Sequence, residues 1–156
     1  MRIIENIRAT EQQPPISIYA DEAHILLSER QVDVDNGNST YSSQYEYDKV
    51  VVADANLYAN VVEAATLFYK KEKKEKSLNS IVVTTSSGKQ FYADPISRGD
   101  LSDAISIAQE TGETSTIWKL KTGLDTVTLE EMQEARRLGL AEKGQIVGVK
   151  SIEEIQ

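Results

Sequence analysis

Nucleophilic catalysis needs a base beside a hydroxyl or thiol, and this chain offers one imidazole, His24, and no cysteine. The conspicuous serines are Ser86 and Ser87 in a turn-like stretch and Ser97 and Ser102 near a helix start. A serine hydrolase holds its nucleophile against an imidazole that an acid orients; no spacing here does so, and His24 reads as a strand-edge residue. Gly88-Lys89 has the ending of a phosphate-binding loop, but the upstream glycine is replaced by Val83 and the next residue is Gln90 instead of Ser or Thr. Asp33-Val34-Asp35-Asn36-Gly37-Asn38 has the acid spacing of a calcium loop, yet its glycine comes one position early and Gln44 stands where the closing bidentate Glu belongs. The 25 acidic residues supply candidates for a glycosidase pair, but two small sheets with a single Trp make a poor sugar cleft. No catalytic residue, cofactor or metal is expected.

What remains is the chemistry of contact. Tyr41, Tyr45 and Tyr47 share one parity of a strand-like segment, while Tyr58 and Tyr69, with Val62, form a minor stripe on a helix-like segment. Tyrosine joins a large apolar area to a polar tip, which suits interfaces. These five residues are the candidate partner interface. Two covers for the strand tyrosines stay open, the neighbouring helix or another subunit. Trp118, beside Ile117 and Leu120, is expected in the core, with an interface anchor as the other reading.

Several elements must position these residues. Residues 1–15 contain Gln12, Gln13, Pro14 and Pro15 and little to bury, so they read as a flexible arm that a partner would order. Region 16–53 reads as a docking region: a short strand, then a long hairpin over 24–52 turning at Asn36-Gly37, a dipeptide suited to type I′ geometry. Residues 54–77 read as a linking helix with Asp54 as N-cap and Leu57, Val61, Ala64, Ala65 and Phe68 on its apolar stripe. Its basic run, Lys70 to Lys76 with Glu72 and Glu75 interleaved, is a solvated helix end or a patch for a phosphate or partner.

Region 78–156 reads as a small ββαββα domain with a helical tail. A hairpin spans 81–83 and 90–93; a helix comes after Pro95 and ends at Thr111-Gly112; a strand covers 115–120, Gly123-Leu124-Asp125 turns, and 126–128 returns. Thr128-Leu129-Glu130-Glu131 is a capping box opening a last helix. Gly139, Gly144 and Gly148 weaken its continuation, each costing about 1 kcal/mol relative to Ala. The fold class is therefore α+β, with a β-ribbon, a linking helix and a C-terminal domain cored around Phe91, Leu101, Ile105, Trp118 and Met132.

A formal charge of −8 opposes binding to nucleic-acid phosphates, which depends on Lys and Arg releasing counterions. The N-terminus is too soon interrupted by charge for a signal peptide, and no window approaches the roughly 20 apolar residues of a membrane span. The expected partners are proteins, with neither nucleic acid nor membrane insertion.

Residues 79–143 also carry an ordered series of segments: Val82-Val83-Thr84-Thr85-Ser86-Ser87-Gly88-Lys89-Gln90-Phe91-Tyr92-Ala93-Asp94, an alanine-bearing helix, Thr116-Ile117-Trp118-Lys119-Leu120, and Val127-Thr128-Leu129-Glu130-Glu131-Met132. This series resembles an uncharacterised domain at the C-terminal end of many phage and prophage tail-associated proteins. It departs from that pattern at Pro95-Ile96-Ser97-Arg98-Gly99, where the family has a polar, Gln- or Asn-bearing helix start. The resemblance implies a non-enzymatic structural or assembly protein of a bacteriophage tail, made in the bacterial cytoplasm and carried in the virion. It would contact other tail proteins and be present as a homo-oligomer or in multiple copies. A tail-fibre assembly chaperone is the alternative, and a small glycan-binding or hydrolytic receptor module a further one.

Overall fold

The computed structural model describes residues 1–35, 37 and 41–153. The chain is α+β and divides into two compact units, Met1–Glu72 and Lys73–Gln156. No helix among the described residues is long and apolar enough to cross a membrane.

The first unit is a four-stranded antiparallel sheet with β1 (Arg2–Ala9), β2 (Ile16–Tyr19), β3 (Glu22–Asp35) and β4 (Tyr41–Val52) in the order β1-β4-β3-β2. The expected long hairpin is β3 and β4, paired from Ala23↔Val52 to Asp35↔Tyr41. Of its turn, Gly37 has φ 83° and donates its N–H to Asp35 Oδ1 at 2.7 Å; Asn36 and Asn38, on which the type I′ expectation also rests, lie outside the described residues.

Residues 1–15 are not a free arm. Residues 2–9 form β1 along the edge of β4, and residues 10–15 connect it to β2 on the opposite edge. The strand period was hidden because β1 contains a bulge: Ile3 pairs with Val50, but Ile7 pairs with Tyr47 instead of the residue before it. Ile3 and Ile7 therefore point to opposite faces, and no simple alternation survives in the sequence.

Helix α1 (Val61–Asn79) begins in the first unit and ends in the second. Asp54 does not cap it. That residue, at φ 53°, precedes a short 3₁₀ turn, Ala55–Leu57, and Leu57 is consequently 80% exposed. The cap is Asn60, whose Oδ1 accepts from Glu63 N at 3.1 Å while its amide donates to Glu63 Oε2 at 3.3 Å, a reciprocal arrangement like a capping box. The basic run lies in the C-terminal half of this helix, with Lys76 in its last turn.

The second unit has the expected ββαββα order: β5 (Val82–Thr84), β6 (Gln90–Tyr92), α2 (Pro95–Thr111), β7 (Ser115–Leu120), β8 (Gly123–Thr128) and α3 (Leu129–Glu153). Pro95 starts α2 because Asp94 caps it, accepting from Ile96 N and Ser97 N, and proline suits the first helical turn. Burial raises the Asp94 pKa, but the Ser97 hydroxyl and the Ser97 and Ile96 amides outweigh this and hold it below the ordinary carboxylate value. Gly112, at φ 74°, ends the helix in the left-handed region.

Residues 123–125 belong to β8, not to a turn; the chain reverses between Leu120 and Gly123. The capping box at Thr128 forms, with Glu131 N donating to Thr128 Oγ1 at 3.2 Å and Thr128 N to Glu131 Oε2 at 2.9 Å. The core gathers Ile81, Val83, Phe91, Leu101, Ile105, Leu120, Val127 and Met132, with Trp118 packed half-buried against it.

Candidate docking surface

The two faces of the N-terminal sheet have different chemistry. On one, Ala23 and Ile25 of β3 and Val50 and Val52 of β4 form a core with Ala65 of α1, joined by Ile3, Val61, Val62 and Phe68. This core stops near Leu27, where the same face becomes polar. Glu46 and Asp48 are buried there although the sequence pattern assigns them to a polar strand face.

Two bulges make that burial possible. One lies in β1 between Ile4 and Ile7, the other in β3 between Leu27 and Arg30, and both flank Asp48. Asn6 and Ser28 occupy them with φ 59° and 54°. Each bulge reverses the parity of the strand residues beyond it, turning Arg8 and Arg30 to the side of Glu46, their common cross-strand neighbour. Arg8 Nε donates to Glu46 Oε2 at 2.8 Å, and Arg30 Nε donates to Oε1 at 2.9 Å. Asp48 Oδ1 accepts from Asn6 N at 3.1 Å, and Oδ2 accepts from Tyr69 Oη at 2.6 Å; Tyr69 Oη also meets Ser28 Oγ at 2.7 Å.

The Arg8 hydrogen bond, opposed by desolvation and reinforced by Arg30, holds the Glu46 carboxyl below its ordinary 4.5. A folded-state pKa lowered in this way gives stability that is complete above the unfolded value and lost as pH falls through the folded one. Glu46→Gln is therefore expected to be less stable than the wild type at neutral pH, with the gap closing as pH drops below the usual glutamate range. Urea titrations followed by circular dichroism at several pH values check this; a gap independent of pH would show that the carboxylate charge is not what matters.

The opposite face carries Tyr47, Tyr45, Val51, Leu26 and His24. Because β1 and β2 lie on opposite edges, residues 10–15 cross this face, and Gln13 N donates to Tyr47 Oη at 2.9 Å. Gln12 Nε2 donates to Glu29 Oε1 at 2.9 Å. Tyr47 is only 2% exposed beneath this crossing, and the Tyr45 ring lies alongside with centroids 6.4 Å apart. His24 Nε2 is 2.5 Å from Glu22 Oε1, and its ring lies 4.8 Å from that of Tyr19. The hydrogen bond to His24 is the main reason the Glu22 carboxyl lies below its ordinary value, against a smaller desolvation effect.

The candidate tyrosines whose side chains are described, Tyr45, Tyr47, Tyr58 and Tyr69, do not form one surface. Tyr47 is part of the first unit's interior and Tyr69 is committed to Asp48. Tyr58 is 40% exposed beside the 3₁₀ turn, Tyr45 is half-buried, and Tyr41 stands opposite Asp35 in register. Sequence reasoning missed Asn6, Arg8, Arg30, Glu46 and Asp48, whose convergence depends on bulges that leave no periodic signal.

The other residues with chemical potential have structural partners. Ser86 Oγ donates to Glu134 Oε2 at 2.9 Å, Ser97 Oγ to Asp94 Oδ2 at 2.6 Å, and Ser102 Oγ to the Arg98 carbonyl at 2.8 Å. Lys89 Nζ donates to the Thr126 carbonyl at 2.5 Å and to Glu131 Oε2 at 3.1 Å, tying the β5–β6 turn to β8 and the start of α3. Burial raises the Glu131 pKa, but hydrogen bonds from Ser87, Thr128 N and Lys89 bring it below its ordinary value. Among the described residues no group of three or more His, Asp or Glu is placed to hold a metal.

Two exposed stretches of strand in the first unit suit contact with another protein. No β3 residue beyond Ile25 is fully buried, and from Arg30 to Asp35 half-buried and exposed residues alternate. That distal ribbon presents Gln31, Asp33 and Asp35 on the parity shared with Tyr45 and Tyr41. The second stretch is β2, an edge strand on which Ile18 is 67% and Tyr19 59% exposed. Compared with protein-family models, curated proteins and solved structures, the chain matches none.

Proposed function

We propose that this protein is a structural or assembly component of a bacteriophage or prophage tail, a virion protein without catalytic activity that holds neighbouring tail proteins through its N-terminal unit. The observation that carries the reading is the distal ribbon of β3 and β4, which extends past the residues that α1 covers and gains no core of its own. A two-stranded ribbon is marginal in water without something packed on it. The exposed edge of β2 adds unpaired backbone and apolar side chains, a known route to pairing with another chain. The sequence resemblance of residues 79–143 to a tail-associated domain supplies the biological setting.

The acidic and aromatic character of the ribbon, with Asp33 and Asp35 on the parity of Tyr45, fits a partner surface that offers Lys or Arg. The test is to make particles with the wild-type chain and with Asp33→Lys, Asp35→Lys and Tyr45→Ala combined, none of which touches the buried Glu46–Asp48 network. The variant is expected to stay folded by circular dichroism and to be lost from purified particles in mass spectrometry. Normal incorporation would move the docking surface elsewhere. Recovery with fibre intermediates but not with mature particles would make the protein a chaperone, and recovery with neither would end the tail reading.

A further inference from the structure

The second unit contains a groove of about 280 Å³ lined by Tyr92, Ser97, Asp100, Trp118 and Lys119. Two aromatic and three polar residues line it. Tyr92 is at the end of β6 and 39% exposed; Trp118 lies on β7, half-buried against the core; Ser97 and Asp100 come from the first turns of α2.

Most of the polar groups lining this groove have no protein partner. Asp100, Lys119, Tyr92 Oη and Trp118 Nε1 make no side-chain hydrogen bond or ion pair among the described residues, although most polar side chains around them do. No buried side-chain nitrogen or oxygen among the described residues is left without a partner, so the indole N–H reaches solvent rather than being an orphan in the core. Ser97 is the exception: its hydroxyl proton is directed to Asp94 Oδ2 at 2.6 Å, leaving its lone pairs to accept.

We propose that this groove binds one neutral pyranose unit of a glycan. The Tyr92 and Trp118 rings offer apolar faces to the C–H bonds of a sugar ring. Asp100 and Ser97 accept from its hydroxyls, while Lys119 and the indole N–H donate to them. The charge pattern selects against a simple cation and a simple anion. A quaternary ammonium, the usual guest of an aromatic cage, would meet the Lys119 ammonium, and a carboxylate or phosphate would meet Asp100; a polyol needs both an acceptor and a donor. The volume falls just below the roughly 300–1,000 Å³ of ordinary ligand pockets, which suits a single terminal residue bound with Kd on the order of millimolar. This inference does not depend on the N-terminal docking surface.

Trp118 is the only Trp in the chain, so its emission reports on the groove directly. The full-length protein is titrated with methyl glucoside, methyl galactoside, methyl mannoside and methyl N-acetylglucosaminide, and with choline chloride and inorganic phosphate as cation and anion arms. At least one neutral pyranoside is expected to give a saturable change in emission. Asp100→Ala and Tyr92→Ala should each weaken it about tenfold or more, equivalent to about 1.4 kcal/mol; Asp100 is exposed, so its variant should leave the thermal melt in place, whereas Tyr92, 39% exposed, should lower the melt without abolishing the cooperative transition. Trp118→Ala is avoided because it also opens the core. A saturable response only to choline or phosphate would overturn the proposal, as would no saturable response at all or undiminished binding by both variants.

Discussion

Replacing Tyr47 by Ala is expected to destabilise the N-terminal unit by about 3–5 kcal/mol, the range for truncating a large buried aromatic. Its ring is 2% exposed, covered by the crossing of residues 10–15 and flanked by Tyr45, and its hydroxyl accepts the Gln13 amide. Tyr47→Phe keeps the ring and removes only that acceptor, so it should cost about 1 kcal/mol, with the Gln13 N–H turning to solvent. Tyr45→Ala, at a half-buried position, should cost clearly less than Tyr47→Ala. Urea denaturation of the three variants gives this ranking. If Tyr47→Ala and Tyr45→Ala prove equally mild, the crossing segment is not seated on the sheet in solution.

The same geometry changes what removal of the N-terminus would do. Deleting residues 1–15 takes away β1, the crossing, the amide that Asp48 accepts from Asn6, and the Arg8 side of the Glu46 pair. The truncated chain is expected to lose the sheet of the first unit, not merely a tether. Tyr47 substitutions and N-terminal truncation are therefore tests of folding, whereas docking has to be tested on the distal ribbon and at Tyr45.

The parts of the fold that were legible in the sequence are those where local chemistry decides the outcome. Thr111-Gly112 ends α2, Thr128 with Glu131 opens α3, and the five residues expected in the C-terminal core all pack there. The N-terminal unit was harder to read for a specific reason. Its alternation is broken twice, at Asn6 and at Ser28, so apolar residues that face opposite sides keep a common parity in the sequence. Glu46 and Asp48 looked like a solvated face because their partners, Arg8, Arg30, Asn6 and Tyr69, come from three other elements. Asp54 was a sound cap by type, but Asn60 and Glu63 formed the reciprocal pair and moved the helix start. The C-terminal groove was invisible for a related reason: Tyr92 and Trp118 come from different hairpins, and Asp100 from the helix between them.

The glycines of α3 provide a test in which one substitution has opposite signs at two positions. Gly139 and Gly144 both lie inside the helix, where Gly→Ala would ordinarily stabilise by about 0.5–1 kcal/mol. At Gly144 nothing lies within 4 Å of the added Cβ, so Gly144→Ala should show that gain. At Gly139 the Cβ would stand 2.7 Å from Ala93 Cβ and 3.3 Å from Arg98 Cδ. Ala93 is fully buried and cannot swing aside, and the Arg98 guanidinium is fixed by donating to the Ala93 and Gly139 carbonyls at 3.2 Å each. Helix α3 would have to move away from the Ala93 backbone, so Gly139→Ala should cost about 1–3 kcal/mol, as overpacking does. Adding Ala93→Gly removes the opposing methyl, and the double variant should be more stable than the sum of the two single changes requires, because the residues are in contact. Thermal and urea unfolding of the four proteins measures that coupling. Strict additivity, or a stabilising Gly139→Ala, would show that α3 does not approach Ala93 this closely in solution.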